Sequence, residues 1–318
     1  MRSTDVTVII PTFNGEAYIS DVLDAIEAQN FDGSVEVLVI DSGSTDATLD
    51  LVRAHSTVRL HEIANAEFGH GKTRNLAAKL ATGTIVAYLT QDAIPAHDGW
   101  LRELTAPLEK AAAVTGRQIP RANCFPLLKY EIEASFAALG PADRVTIVTS
   151  ADSEDLDSIS FYSDVNSATH RAFLLDTIPY RDLPYSEDFA FAKDLLAAGF
   201  SKAYSPQGSV IHSNDLTLRQ YRKRVFEETI ALRRIGHSVA TVSRGKQVVR
   251  TGYGVLRDSA KIIADPDYGF GQTIGWLLRN PWYHVAKWQS LYSATRVSLD
   301  DAAAIARRSL ESEKRAEG

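Results

Sequence analysis

The chain has 318 residues, 45% of them hydrophobic and 23% charged, which suits one large or two ordinary globular domains and excludes a fibrous repeat or wholesale disorder. A formal net charge of -6 excludes a polycation built for nucleic acid, so no nucleic-acid partner is expected. The single cysteine, Cys124, excludes an intrachain disulfide framework and a zinc site with two or more Cys ligands. The opening Met1-Arg2-Ser3-Thr4-Asp5 has no secretory apolar region, and no run of apolar residues is long enough to span a bilayer. A reducing, cytoplasmic setting is the expectation.

In chain order, Val6–Ile10 is a β-branched run stopped by Pro11. A helical pattern opening at Asn14 or Gly15 carries Ile19, Val22, Leu23 and Ile26 and stops before Phe31-Asp32-Gly33. Val35–Ile40 is a second strand, ended by Asp41-Ser42-Gly43-Ser44, and the next helix begins with Thr45 or Asp46 as cap. Val58–Ile63, a helix over 72–82 and a strand over Thr84–Leu89 follow. Residues 99–111 read as a helix, Ala113–Gly116 as a short strand, 124–139 as a helix and 141–160 as a polar, mobile loop. Glu187–Ala198 reads as a helix and Ala203–Ile211 as a last strand before His212. Apolar strands alternating with helices predict an α/β, doubly wound sheet covered on both faces, over a first domain of residues 1–215.

From residue 216 to 318 the chain reads as helical. Residues 215–300 hold 14 Lys/Arg against 7 Asp/Glu, an excess of +7 that leaves -13 for the remainder. Three of the four tryptophans (Trp276, Trp282, Trp288) fall in one short stretch with Phe270, Tyr283 and Tyr292, punctuated by Arg279, Lys287 and Arg296. Arg219, Arg222, Lys223 and Arg224 form a tighter basic cluster. Two readings stand: an appendage packing its aromatics on the sheet domain or a second subunit, and a surface docking at the inner face of the cell membrane through residues 217–296. Asp301–Gly318 reads as a polar, fraying tail.

Gly69-His70-Gly71-Lys72-Thr73 is similar to the end of a phosphate-binding loop, but the leading glycine is replaced by Ala66 and the third glycine of a dinucleotide fingerprint by Arg74. No Gly-x-Ser-x-Gly elbow or His-Glu-x-x-His helix occurs. Polar clusters instead follow the predicted strands: Pro11-Thr12-Phe13-Asn14, Asp41 through Asp46, and Thr90-Gln91-Asp92-Ala93. The carboxyl ends of strands are where open α/β sheets bind ligands. Asp41 could accept from a base N–H, Gly43 would let backbone approach a ligand, and Asp92 could hold a hard divalent ion bridging phosphates. Asp46 alone reads as a helix cap.

In this order the clusters over residues 6–215 resemble the inverting family-two glycosyltransferases of GT-A (nucleotide-diphospho-sugar transferase) fold, here a doubly wound mixed sheet with a C-terminal helical appendage. Phe68-Gly69-His70-Gly71-Lys72-Thr73-Arg74-Asn75 and Phe161 through Ala168 are most similar to the bacterial rhamnosyltransferase branch. The resemblance implies donor binding by Pro11, Thr12, Asn14, Asp41, Ser42, Gly43, Arg74, Gln91 and Asp92, with Arg74 near the phosphates or ribose. Gln91-Asp92-Ala93 stands where the family has an Asp-x-Asp metal motif and keeps one carboxylate. A magnesium or manganese ion is implied, with Asp92 and His212 as ligands.

Asp188, in Ser186-Glu187-Asp188, is implied as the general base that deprotonates the acceptor hydroxyl. Glu187, Arg117, Gln118, Asp164 and Asn166 would shape the acceptor and sugar pocket. The implied partners are a nucleotide-diphosphate sugar, most simply dTDP-rhamnose, and a polyprenyl-linked or saccharide acceptor in cell-envelope polysaccharide or glycolipid assembly. A peripheral membrane contact and a homo-oligomer complete the expectations. The alternatives are a UDP-hexose-dependent transferase and a non-catalytic sugar-nucleotide or lipid-surface binding protein.

Overall fold

The structure, a computed structural model, describes residues 5–214 and 216–310. The chain divides into two units: the residues up to Ile119 with Glu133–His212, and Pro120–Ile132 with those from Ser213 onward. The expected boundary residue Asp215 and the tail after residue 310 lie outside the described residues.

In the first unit the order is β1 (Val6–Thr12), α1 (Ile19–Glu27), β2 (Val35–Asp41), α2 (Thr48–Ala54), β3 (Val58–Glu62), α3 (His70–Leu80), β4 (Ile85–Leu89), β5 (Ile94–Pro95), α4 (Trp100–Thr105) and β6 (Ala113–Ile119). Helix α5 (Pro126–Ala137), whose residues up to Ile132 belong to the second unit, follows, then β7 (Thr146–Val148), α6 (Leu156–Ile159), β8 (Asn166–His170), α7 (Arg171–Asp176), α8 (Glu187–Ala197) and β9 (Lys202–Ile211). The strands form one mixed sheet in the order β3-β2-β1-β4-β8-β6-β9-β5, with β7 on β9. Strands β1 to β4 pair in parallel, β8 runs antiparallel to both β4 and β6, and β6 is parallel to β9.

The period-2 alternation of β1 sends Val6, Val8 and Ile10 to a core shared with α1, α2 and α4. It sends Ile9 to the opposite core, under α3, α7 and α8. Both faces are covered, which explains why the sequence shows continuous apolar strands. This topology brings the carboxyl ends of β1, β2, β4, β6 and β9 and the start of β8 to one rim.

Two expectations are corrected. The supposed mobile loop over 141–160 contains β7 and α6. The strand β8, read from sequence only as a functional string, is a central strand whose polar side chains are bonded internally: Asn166 accepts from the Trp100 indole, and Thr169 donates to the Ala112 carbonyl.

The second unit contains α9 (Leu218–Arg234), α10 (Arg244–Ala264), α11 (Phe270–Ala294) and α12 (Ala302–Ala306), the last an ordered turn inside the expected fraying tail. Phe125, Tyr221, Tyr283 and Trp276 pack in its interior, and Lys129 bridges Asp265 and Asp267 at 2.7 Å each. Among the described residues no helix is long and apolar enough to cross a membrane.

Candidate functional site

At the end of β1, Thr12 donates its hydroxyl to Asp41 Oδ2 (2.9 Å), while Ser42 donates backbone and side chain to the Thr12 carbonyl. Asp41 also accepts from the Gly43 and Ser44 amides and from the Ser44 hydroxyl. Its carboxylate thus folds the β2–α2 loop, and Gly43 turns there at φ 90°. Asn14 sits at φ 49°, with its amide on Ser44 and its side-chain oxygen accepting from Thr45. Thr12, Asn14, Asp41, Ser42 and Gly43 therefore form one bonded corner with Ser44 and Thr45, and Pro11 precedes it in β1. Beside it, an open cavity of about 560 Å³ lies between the end of β3 and α3, lined by residues including His61, Ile63, Lys72 and Asp182. The sequence signal for that cavity was the 68–75 string, read only for its family likeness.

Gln91 clamps the same corner: its side chain accepts from the Phe13 amide at 2.8 Å and donates back to the Phe13 carbonyl at 3.1 Å. The Gln91 amide is thus an organiser of the β1 loop. Asp92, next to it, reaches across to the last strand, where its Oδ2 lies 3.4 Å from His212 Nε2. His212 Nδ1 stands 2.9 Å from Gln118 Oε1, and Gln118 donates its own amide to the Ser163 hydroxyl.

A carbonyl oxygen at Nδ1 calls for the proton there and leaves the Nε2 lone pair facing Asp92. Two ligand atoms on one small hard cation stand roughly 3 Å apart, so this donor pair fits a divalent ion, with Gln118 as the group that orients the imidazole. Gln118, expected at the acceptor pocket, thus spends its side chain on His212 and Ser163. The group Asp24, Glu27 and His55 also brings three ligand atoms close, but it sits at the far ends of α1 and α2, at the opposite rim of the sheet.

Arg74 corrects a second expectation. Its side chain is 8% exposed, with NH1 on Glu187 and Nε 3.3 Å from Asp164 Oδ2, and the Tyr88 and Tyr180 rings lie near its guanidinium. The planar fork that suits phosphate suits two carboxylates equally, and here it serves the carboxylates. Asp164 also accepts from Ser167 (2.6 Å) and Tyr180 (2.8 Å), so it lies behind the cleft. Asn166 is fully buried, donating to the Gly208 and Arg117 carbonyls, and cannot line a sugar pocket. Arg117, half-buried, sits where β6 shifts register against β9.

Asp188 is the second residue of α8, two positions after the N-cap Ser186, whose φ of 62° is, with Asn14, one of two positive-φ non-glycine residues described. Strained backbone of this kind concentrates where function over-determines the chain. Asp188 Oδ2 accepts weakly from the Asp164 amide (3.4 Å) and Oδ1 from Phe189 (2.8 Å). Burial first, then the charges of Glu187 and Asp164, push the Asp188 carboxyl well above the usual carboxylate range, against the pull of Arg74. Glu187 itself is buried and bonded to Arg74, which makes it a support for Asp188. A buried lysine that the sequence did not flag, Lys202, donates to the Phe161 carbonyl (3.0 Å), and burial pulls its pKa down to about 8.

Residues 7–174 match the family described as glycosyl transferase family 2. The chain is 31% identical to the O-antigen chain rhamnosyltransferase RfbN of Salmonella typhimurium, over 70% of each chain. It is 30% identical to the O-antigen chain rhamnosyltransferase WbaN of Salmonella anatum over the same shares. In fold it is similar to the mannosyltransferase PcManGT of Pyrobaculum calidifontis, solved with GDP-Man and Mn2+: TM-score 0.61, 20% identity, 95% of this chain and 89% of that one. Staphylococcus aureus TarS 1-349, solved with UDP, matches with a TM-score of 0.54 at 17% identity over 92% of this chain and 90% of that one.

Proposed function

Because the chain belongs to glycosyl transferase family 2 and is a nucleotide-sugar-dependent glycosyltransferase of GT-A fold, we propose that it transfers rhamnose from dTDP-rhamnose with inversion. The acceptor is a hydroxyl of a growing cell-envelope saccharide, carried on a polyprenyl diphosphate. The rhamnose assignment is supported by the two rhamnosyltransferase relatives, and the chemistry by the raised pKa of Asp188 at the head of α8.

Asp188 takes the acceptor proton as the acceptor oxygen bonds to the anomeric carbon. The bond from that carbon to the diphosphate oxygen breaks on the opposite face, and the nucleoside diphosphate leaves with the electron pair. A carboxylate made more basic by its surroundings is suited to take that proton near neutrality. Arg74 and Glu187 keep α8 in position, while the corner built by Thr12, Asn14 and Asp41 receives the nucleotide. Asp92 and His212, the latter oriented by Gln118, would hold a divalent ion, magnesium or manganese. That ion would supply positive charge to the leaving diphosphate.

The observation that carries the reading is Asp188, basic and adjacent to Asp164 at the same rim as the Asp92–His212 pair. The test is a thermal-shift and turnover panel of dTDP-rhamnose and UDP-hexoses with and without Mn2+. A melting shift and diphosphate release specific to dTDP-rhamnose are expected. Faster release from a UDP-hexose moves the enzyme to that donor, and binding without release in the presence of acceptor sinks the catalytic reading.

A further inference from the structure

Helix α10 has three distinct faces. Gly254, Asp258 and Ile262 are buried against its neighbours. A Cβ at position 254 would meet the His284 ring at 2.4 Å, and His284 Nε2 bonds Asp258 Oδ2 at 3.0 Å, so the rotation of α10 against α11 is fixed. That rotation turns Val249, Tyr253, Leu256 and Ile263 outward, an exposed stripe at helical spacing with Leu256 75% exposed. Beside the stripe runs a ridge of exposed cations, Lys246, Arg250, Arg257 and Lys261. Helix α11 adds exposed Phe270 (85%), Leu278 (71%) and Trp282 (66%) on the side away from its own packing partners.

The charge on these helices is one-sided. Helix α11 contains no Asp or Glu, and the one carboxylate of α10, Asp258, is fully buried between Arg257 and His284. Every exposed charged side chain on the two helices is therefore a cation. By contrast, Trp276 of the aromatic run is committed to packing with Tyr268 and Tyr283. The outward chemistry thus lies chiefly on α10, which the sequence did not single out.

We infer that the outer face of α10, with the exposed apolar side chains of α11, docks in the plane of an anionic lipid surface. Large apolar side chains flanked by Lys and Arg, on a helix too polar to span, match the chemistry of an interfacial helix. The long stems of Lys246 and Arg250 let their charged heads reach the headgroups while the apolar stripe enters the acyl boundary. A second copy of the chain would set cation against cation on this face, which disfavours it as occupant. The inference stands apart from the sugar chemistry proposed above.

The test is flotation of the full chain with phosphatidylcholine vesicles, with and without phosphatidylglycerol. Association with the anionic vesicles only is expected, weakening as salt rises. Lys246→Gln and Arg250→Gln should each lower partitioning roughly fivefold. The pair Val249→Ser with Leu256→Ser should abolish it while diphosphate release from donor on a soluble acceptor stays at the wild-type rate. No association with either vesicle overturns the inference, as does equal binding to both. A dimer in light scattering that the serine pair splits overturns it in favour of a second copy.

Discussion

Arg74 and Glu187, 113 positions apart in sequence, form a buried ion pair that ties α3 to the first turn of α8. Removing one partner of such a pair leaves a charge buried without compensation, which costs about 3–5 kcal/mol. Arg74→Ala should lower the unfolding free energy by that order in a urea titration. It should also raise the Asp188 pKa further, because Arg74 is the charge that pulls it down.

Asp188→Asn should reduce turnover by roughly 10²- to 10⁴-fold, the usual contribution of a general base, while donor-induced thermal shift persists. As the proposed base, Asp188 acts only when ionised. Its raised pKa places the acid limb of the kcat/KM profile above the ordinary carboxylate range, with activity falling as pH drops through it. A pH-rate profile flat down to pH values typical of free aspartate would remove Asp188 from this role.

Gln118→Ala should weaken Mn2+ activation by about 10- to 100-fold in apparent affinity, with kcat largely restored at saturating ion. His212→Ala should not be rescued in this way. A metal titration separates the two, since on this reading Gln118 acts through the imidazole it bonds.

Lys202→Met should stabilise the fold at pH 7. In the unfolded chain Lys202 stays protonated to about 10.5, whereas in the fold its proton is lost at about 8. The unfolded state therefore binds more protons between these values, and wild-type stability rises with pH across that window. Below pH 8 the buried charge costs the wild type about 3 kcal/mol, reduced by its bond to Phe161. The advantage of the methionine variant should shrink from pH 8 upward, read by urea unfolding of both proteins.

Much of the sheet was legible because β1, β2 and β4 are apolar runs ending at Thr12, Asp41 and just before the Gln91-Asp92 turn, although β1 continues through the Pro11 expected to stop it. Strand β8 was not, since Asn166, Ser167 and Thr169 carry no apolar period, and the burial of Asn166 and Thr169 depends on bonds to Trp100 and Ala112, which lie far away in sequence. The same limit applies to the site. Asp92 and His212 were recognisable as ligand types, but a sequence does not say whether an arginine such as Arg74 meets a phosphate or a carboxylate. Nor could it announce that Asn166 and Gln118 bond inward, because amides serve cores and pockets alike.

Ser186 holds a left-handed turn that a glycine would adopt without strain, and the two residues that follow it are Glu187 and Asp188. A glycine there would relieve that dihedral but give the unfolded chain more freedom, and it would slacken the turn that leads into the proposed proton acceptor. The unusual dihedral sits two residues from the proposed chemistry, and a campaign to toughen this enzyme would do best to leave that bond alone.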